Sequence, residues 1–79
     1  MNDYRPIPCA VHEGYQLAVM RRQRLRVQGR DAEGGALTLL GMAVDVFARQ
    51  GEEFLVLEGA PGEQVTIRLD RIESVEVVD

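Results

Sequence analysis

The sequence contains few of the residues that perform chemistry in small proteins. Its 79 residues include one cysteine, one histidine and no tryptophan. Cys9 cannot form an internal disulfide, which fits a reducing compartment, and we interpret it as a small buried hydrophobe. Cys9 and His12 lie three positions apart, but no third ligand or orienting group accompanies them. We therefore expect no metal site, no cofactor and no catalytic activity.

Long apolar runs are also missing. No stretch approaches the run of about 18 apolar residues that a membrane helix needs. Pro6, Pro8, His12 and Glu13 interrupt the first apolar stretch, where a signal peptide would be continuous. These features predict a soluble, cytoplasmic protein. Hydrophobic residues nevertheless make up 46% of the chain, which is enough for one globular core in a single domain, residues 1–79.

Charge is distributed unevenly along the chain, whose net charge is −4. Residues 1–30 carry six arginines and two acids, whereas residues 31–79 carry eleven acids and three arginines. This distribution argues against the continuous basic face that general nucleic-acid binding requires. The acidic part fits a basic protein partner, and a merely solvated acidic surface is the alternative. We interpret the carboxylates of Glu52, Glu53, Glu73 and Glu76 as solvated groups.

The N-terminal part predicts an extended arm followed by the one plausible helix. Pro6 and Pro8 keep the arm extended, and we expect Tyr4 and Ile7 to anchor it on the core. Between Cys9 and Met20, helical spacing predicts a short helix that begins near His12 and frays by Arg21. Its apolar stripe consists of Val11, Tyr15, Ala18 and Val19.

The middle of the chain predicts two strands. In 24–30, Leu25 and Val27 alternate with polar residues, and paired glycines in 31–35 predict a turn. In the second strand, 36–48, the apolar residues switch from odd-numbered to even-numbered positions next to Gly41, which indicates a bulge or bend there. Both parities would then face the core, and Asp45 would face solvent. The residues concerned are Leu37, Leu39, Leu40, Met42, Val44 and Val46.

Three further strands follow. The third strand is 53–58, and its residues 54–57 are apolar on both faces, so this strand should lie between two others, with turns at 49–52 and 59–62. In the fourth strand Val65, Ile67 and Leu69 face the core, and Thr66, Arg68 and Asp70 occupy the other face. Ile72 can return to the core only through a tight helical turn at residues 70–71. Val75 and Val77 then resume the alternation.

This order of elements predicts a mainly β fold. Small sheets with open edges are prone to pair with other chains, so closure is the economical arrangement. We predict a five-stranded antiparallel SH3-like or Sm-like barrel with a short N-terminal helix across one open end.

Two segments resemble a known family. Residues 2–9 read N-D-Y-R-P-I-P-C, which contains Y-x-P-I-x-C, and residues 68–72 read R-L-D-R-I. Leu17-Ala18 and the segment E-F-L-V-L-E at 53–58 lie between them in the expected order. Together they resemble the Rof (YaeO) family of Rho-specific inhibitors of transcription termination. The resemblance extends from Asn2 to about Val75.

The resemblance implies a fold similar to Sm-like barrels and a protein partner. That partner is the N-terminal RNA-binding domain of the Rho helicase, whose basic groove an acidic surface would occupy in place of RNA. The implied contact residues lie at the helix start and in the turn before the third strand. They are His12, Glu13, Gly14, Gln16, Arg49, Gln50 and Gly51. We expect a monomer that binds neither nucleic acid nor membrane directly.

Two other interpretations remain open at the level of sequence. One is an Sm-like RNA-binding module that uses a strip of arginines, Arg21, Arg22, Arg24 and Arg26, on phosphates. The net charge and the scarcity of aromatic residues for base stacking argue against it. The other is a structural or assembly module with a different protein partner. If the helix-start residues make no partner contact, they are a solvated cap over the barrel mouth.

Overall fold

A computed structural model describes residue 5, residues 7–59 and residues 62–78. It contains one helix and five antiparallel strands in a single sheet, which confirms the predicted fold class. The strand order is β4-β3-β2-β1-β5. The elements are α1 Cys9–Met20, β1 Arg24–Arg30, β2 Ala36–Arg49, β3 Glu52–Glu58, β4 Gln64–Arg68, a 3₁₀ turn Leu69–Arg71, and β5 Ile72–Val77.

The sheet is bent but not closed. The long strand β2 pairs with β1 through residues 36–42 and with β3 through residues 42–49, so its two halves belong to different parts of the sheet. The Leu69–Arg71 turn then carries the chain from β4 to β5, which pairs with β1. Among the described residues β4 and β5 do not pair with each other. The hydrogen-bonded sheet is therefore open, and the closed barrel that was predicted does not form in it.

The core lies on the inner face of this sheet, beneath α1. The fully buried side chains of Leu25, Val27, Leu55, Leu57 and Leu69 form its centre. Tyr15 and Ala18 of α1 complete it from above, and burial raises the pKa of the Tyr15 phenol. The alternation predicted for β1 is thus confirmed at Leu25 and Val27, and that predicted for the fourth strand is confirmed at Ile67 and Leu69.

Ile67→Ala is expected to lower the free energy of unfolding by about 3 kcal/mol, because the side chain is buried and its removal leaves a cavity. Val65→Ala is the matched control, since Val65 lies on the same face of the same strand but is exposed. We expect its effect to stay below about 1 kcal/mol. Urea denaturation of both variants checks this, and equal losses would contradict the assigned burial.

The bulge in β2 does not lie at Gly41. The pairing of β2 with β3 shifts between Ala43 and Asp45, so Val44 is the extra residue. Parity therefore changes two to three residues later than predicted, and Leu40 is 58% exposed instead of facing the core. Asp45 faces solvent as predicted. The reason for a glycine at 41 is a close approach, because a Cβ there would lie 2.9 Å from the carbonyl oxygen of Glu58.

The edges of the sheet are more exposed than the alternation predicts. Val65 on β4, and Val75 and Val77 on β5, were expected in the core but are 41%, 37% and 53% exposed. Val75 pairs with Val27 and Val77 with Leu25, so the two β5 valines do point to the inner face. They remain accessible because α1 packs on β2, and an open groove lies between α1 and β5.

The helix begins three residues earlier than predicted. Pro8 is its N-cap, and the Pro8 carbonyl accepts hydrogen bonds from the backbone N–H groups of Val11 and His12. Cys9 is exposed, which corrects its interpretation as a buried hydrophobe. Val11 is 44% exposed and thus only borders the core. Ile7 packs on the core as predicted, and the second anchor, Tyr4, lies outside the described residues.

Candidate partner-binding surface

The structure brings the start of α1 next to the hairpin formed by β2 and β3. His12 Nε2 lies 2.7 Å from Glu53 Oε2, and both side chains are about one-quarter exposed. Glu53 pairs with Ala48 at the base of the turn. The contact joins the two sequence segments that were predicted to share one surface. The sequence analysis interpreted Glu53 as a solvated carboxylate and did not place it in this surface, because the contact with His12 depends on how the helix lies across the sheet.

The turn of this hairpin has a well-defined backbone. Arg49 pairs with Glu52, which leaves a two-residue loop in which Gln50 has φ 52° and Gly51 has φ 80°. Positive φ at both central residues is the type I′ geometry that matches the twist of antiparallel strands. Arg49, Gln50 and Gly51 are all exposed. The hairpin tip is thus an accessible projection beside the helix start.

The predicted helix residues divide between two sides of α1. Gln16 follows His12 by one helical turn and shares its side, and Glu13 is exposed next to them. Gly14 lies elsewhere, in a groove of about 410 Å³ between α1 and β5. Ile72, Val75 and Val77 line the opposite wall of that groove. The structure therefore joins the helix start to the hairpin through His12, with Gln16 on the same side of α1, and places Gly14 apart from them.

The outer face of the sheet beside this hairpin carries a buried arginine at the end of β4. Arg68 is 8% exposed and donates two hydrogen bonds to Asp70, from Nε to Oδ1 at 2.6 Å and from Nη2 to Oδ2 at 3.0 Å. Its Nη1 lies 3.4 Å from Glu52 Oε1. Asp70 Oδ2 also accepts the backbone N–H of Arg5 at 3.0 Å. Glu52 is thus held in an ion-pair network, which corrects its interpretation as a freely solvated carboxylate.

An aromatic pair lies beside this network. Phe47 and Phe54 are paired across β2 and β3, with ring centroids 5.2 Å apart and an angle of 22° between the rings. Both are partly exposed, and Phe54 pairs with Arg68 on β4. Sequence reasoning missed these residues as surface features because the apolar run in β3 indicated burial on both faces. They extend the hairpin surface with an apolar patch next to charged groups.

The arginines predicted to form one strip are not equivalent. Arg26 is paired with Glu76 at 2.7 Å, and Arg30 with Glu73 at 3.1 Å. Arg21, Arg22 and Arg24 are exposed and make no ion pair within residues 5, 7–59 and 62–78. Glu73 and Glu76 are therefore paired across strands, although they are exposed as predicted.

The described residues contain no group of three or more histidine, cysteine, aspartate or glutamate side chains that could hold a metal ion. His12 and Cys9 do not form such a group, and His12 contacts Glu53 instead. Within the same residues, no helix is long and apolar enough to cross a membrane. The hairpin surface offers charged and aromatic side chains, His12, Glu53 and the Phe47–Phe54 pair.

The fold and this surface define a mainly β protein with one antiparallel sheet, one helix and a projecting hairpin. Comparisons with family models, with curated proteins and with solved structures give no match for the chain.

Proposed function

We propose that this protein is a Rho-binding antiterminator that occupies the N-terminal RNA-binding domain of Rho and prevents RNA from loading. The proposal makes it a cytoplasmic, monomeric binding protein and not an enzyme. One observation carries most weight: the 2.7 Å contact between His12 and Glu53 joins the helix start to the hairpin. The two segments that the family resemblance implies as the contact surface are therefore neighbours.

Charge supports the same proposal. Residues 31–79 contain eleven of the thirteen acids in the chain. Near the helix start, the surface carries the carboxylates of Glu13 and Glu53, and Glu52 lies at the base of the same hairpin on its outer face. A basic groove that normally takes phosphates attracts such a surface, and the attraction speeds encounter as well as adding specificity.

The direct test is binding to intact Rho, followed by competition with RNA. We expect the protein to co-purify with Rho at physiological salt and to displace a single-stranded RNA from Rho's primary site. It should also reduce termination at a Rho-dependent site in transcription with purified components. Absence of binding together with unchanged termination would reject the proposal.

Glu13→Lys is expected to weaken Rho binding about fivefold, because it places a positive charge against a basic groove. The control is Glu63→Lys, which makes the same charge change beside the β3–β4 turn. The seven-residue strand β3 separates the two regions by roughly 20 Å, beyond the ~8 Å screening length at physiological salt. Equal dissociation constants for the two variants would exclude Glu13 from the contact surface.

A further inference from the structure

The end of α1 contains an arginine in a backbone conformation that favours glycine. Arg22 has φ 50°. Its N–H donates to the Val19 carbonyl, and the N–H of Gln23 donates to the Ala18 carbonyl. These two bonds form a Schellman motif, in which the residue at the Arg22 position is usually glycine because a side chain is strained there.

Residues held in such a conformation are found more often at functional sites than elsewhere. Arg22 has no carboxylate partner among the described residues, and neither do its neighbours Arg21 and Arg24. The next two arginines along the chain, Arg26 and Arg30, are neutralised by glutamates. Three unneutralised guanidinium groups are therefore concentrated where α1 ends and β1 begins. This is the opposite end of α1 from His12 and Glu53.

The same end of the molecule contains an open groove of about 630 Å³. Arg22 and Arg24 form one part of its lining, and Leu40, Met42 and Glu58 form another. Leu40 is the side chain that was expected in the core but is 58% exposed. The groove thus combines cationic groups, an apolar surface and a carboxylate that can accept hydrogen bonds.

We infer that this end of the protein binds single-stranded RNA, with Arg21, Arg22 and Arg24 on successive phosphates. A base enters the groove, where it lies against Leu40 and Met42, and its amino or imino groups donate to the Glu58 carboxylate. Arginine suits the phosphate contacts because its planar group makes paired hydrogen bonds. The site does not depend on the proposed Rho surface, which lies at the other end of α1.

The test uses the full chain and a fluorescent single-stranded RNA of about ten nucleotides, without Rho. Three phosphate contacts predict that the logarithm of the affinity falls with the logarithm of salt with a slope of about −2, which means a roughly fifteenfold loss between 50 and 200 mM salt. Arg22→Gln should reduce the slope to about −1.4 and weaken binding severalfold. Arg30→Gln removes a charge that is already paired, and its affinity should stay within about twofold of the original.

Arg22→Gly separates the functional explanation from a structural one. It should weaken RNA binding like Arg22→Gln and also lower the unfolding equilibrium constant by up to about fivefold, because the strain is relieved. Loss of RNA binding together with a gain in stability supports the inference. RNA affinities of both Arg22 variants equal to the original would overturn it. Binding to vesicles with anionic lipids but not to RNA would also overturn it and assign the arginines to a membrane surface.

Discussion

Gly29→Ala is expected to destabilise the protein by more than about 3 kcal/mol, which is a large part of the stability of a domain of this size. Gly29 is buried in β1 at the point where the pairing with β5 shifts. A Cβ there would collide with the carbonyl oxygen of Arg71 and lie 3.1 Å from the Cα of Ile72. Both obstacles are backbone atoms, so no change of rotamer relieves them.

Gly14→Ala provides the matched control, because it makes the same chemical change in open space. Apart from the adjacent residues and the backbone of the helix itself, no atom lies within 4 Å of a Cβ at Gly14, which occupies the middle of α1. Alanine there should stabilise the protein by about 0.5–1 kcal/mol, since glycine is a poor helix former. Urea denaturation should therefore give shifts of opposite sign. A loss below about 1 kcal/mol for Gly29→Ala would mean that β1 and the 3₁₀ turn are not packed this closely.

Asp70→Ala is expected to cost about 4 kcal/mol. The side chains of Arg68 and Asp70 are 8% and 7% exposed, and removal of the carboxylate leaves a buried guanidinium without its two-point partner. Glu52, at 3.4 Å, compensates only in part. The backbone N–H of Arg5 also loses its acceptor. Thermal and urea unfolding should both report the loss.

Two further variants test whether burial causes this effect. Glu73→Ala breaks the Arg30 ion pair, whose side chains are about half exposed, and should cost less than about 1 kcal/mol. The double variant Arg68→Met with Asp70→Ala removes both buried charges and should recover much of the stability lost in Asp70→Ala. If the double variant is less stable than Asp70→Ala, the cost does not come from an unpaired charge.

Local spacing was sufficient to predict the turn between β4 and β5. Leu69 and Ile72 are three residues apart, and only one helical turn lets both approach the core. The turn depends only on residues that are close in the sequence, so it can be predicted from the sequence alone. The hairpin turn at Gln50 and Gly51 follows for the same reason, because its backbone geometry is set by the residues within it.

Register between strands could not be obtained in this way. Gly41 suggested a bulge, but a glycine is needed there because the backbone of Glu58 lies too close for a side chain. The extra residue of the bulge is Val44. Which residue of β2 is left unpaired depends on how β3 aligns with it, and the sequence of β2 contains no information about that alignment. Leu40 was assigned to the core for this reason.

The candidate surfaces were only partly predictable. The family resemblance implied the helix start and the hairpin turn, but the contact of His12 with Glu53 follows from the placement of α1 across the sheet. The alternation of apolar and polar residues predicted that Arg68 lies on the outer face. The sequence did not show that Arg68 is buried there and paired with Asp70 and Glu52. The arginines of residues 21–30 looked alike in the sequence, and only the cross-strand glutamates of β5 distinguish them.

The pairing of β1 with β5 also affects how the chain is made. About 40 residues separate Arg30, the end of β1, from Ile72, the start of β5. At roughly 5–20 residues per second a ribosome needs several seconds to add them. During that interval Leu25 and Val27 have β2 on one side and no strand on the other. The nascent chain thus presents an apolar edge until β5 emerges, and the arginines that alternate with these residues keep it in water in the meantime.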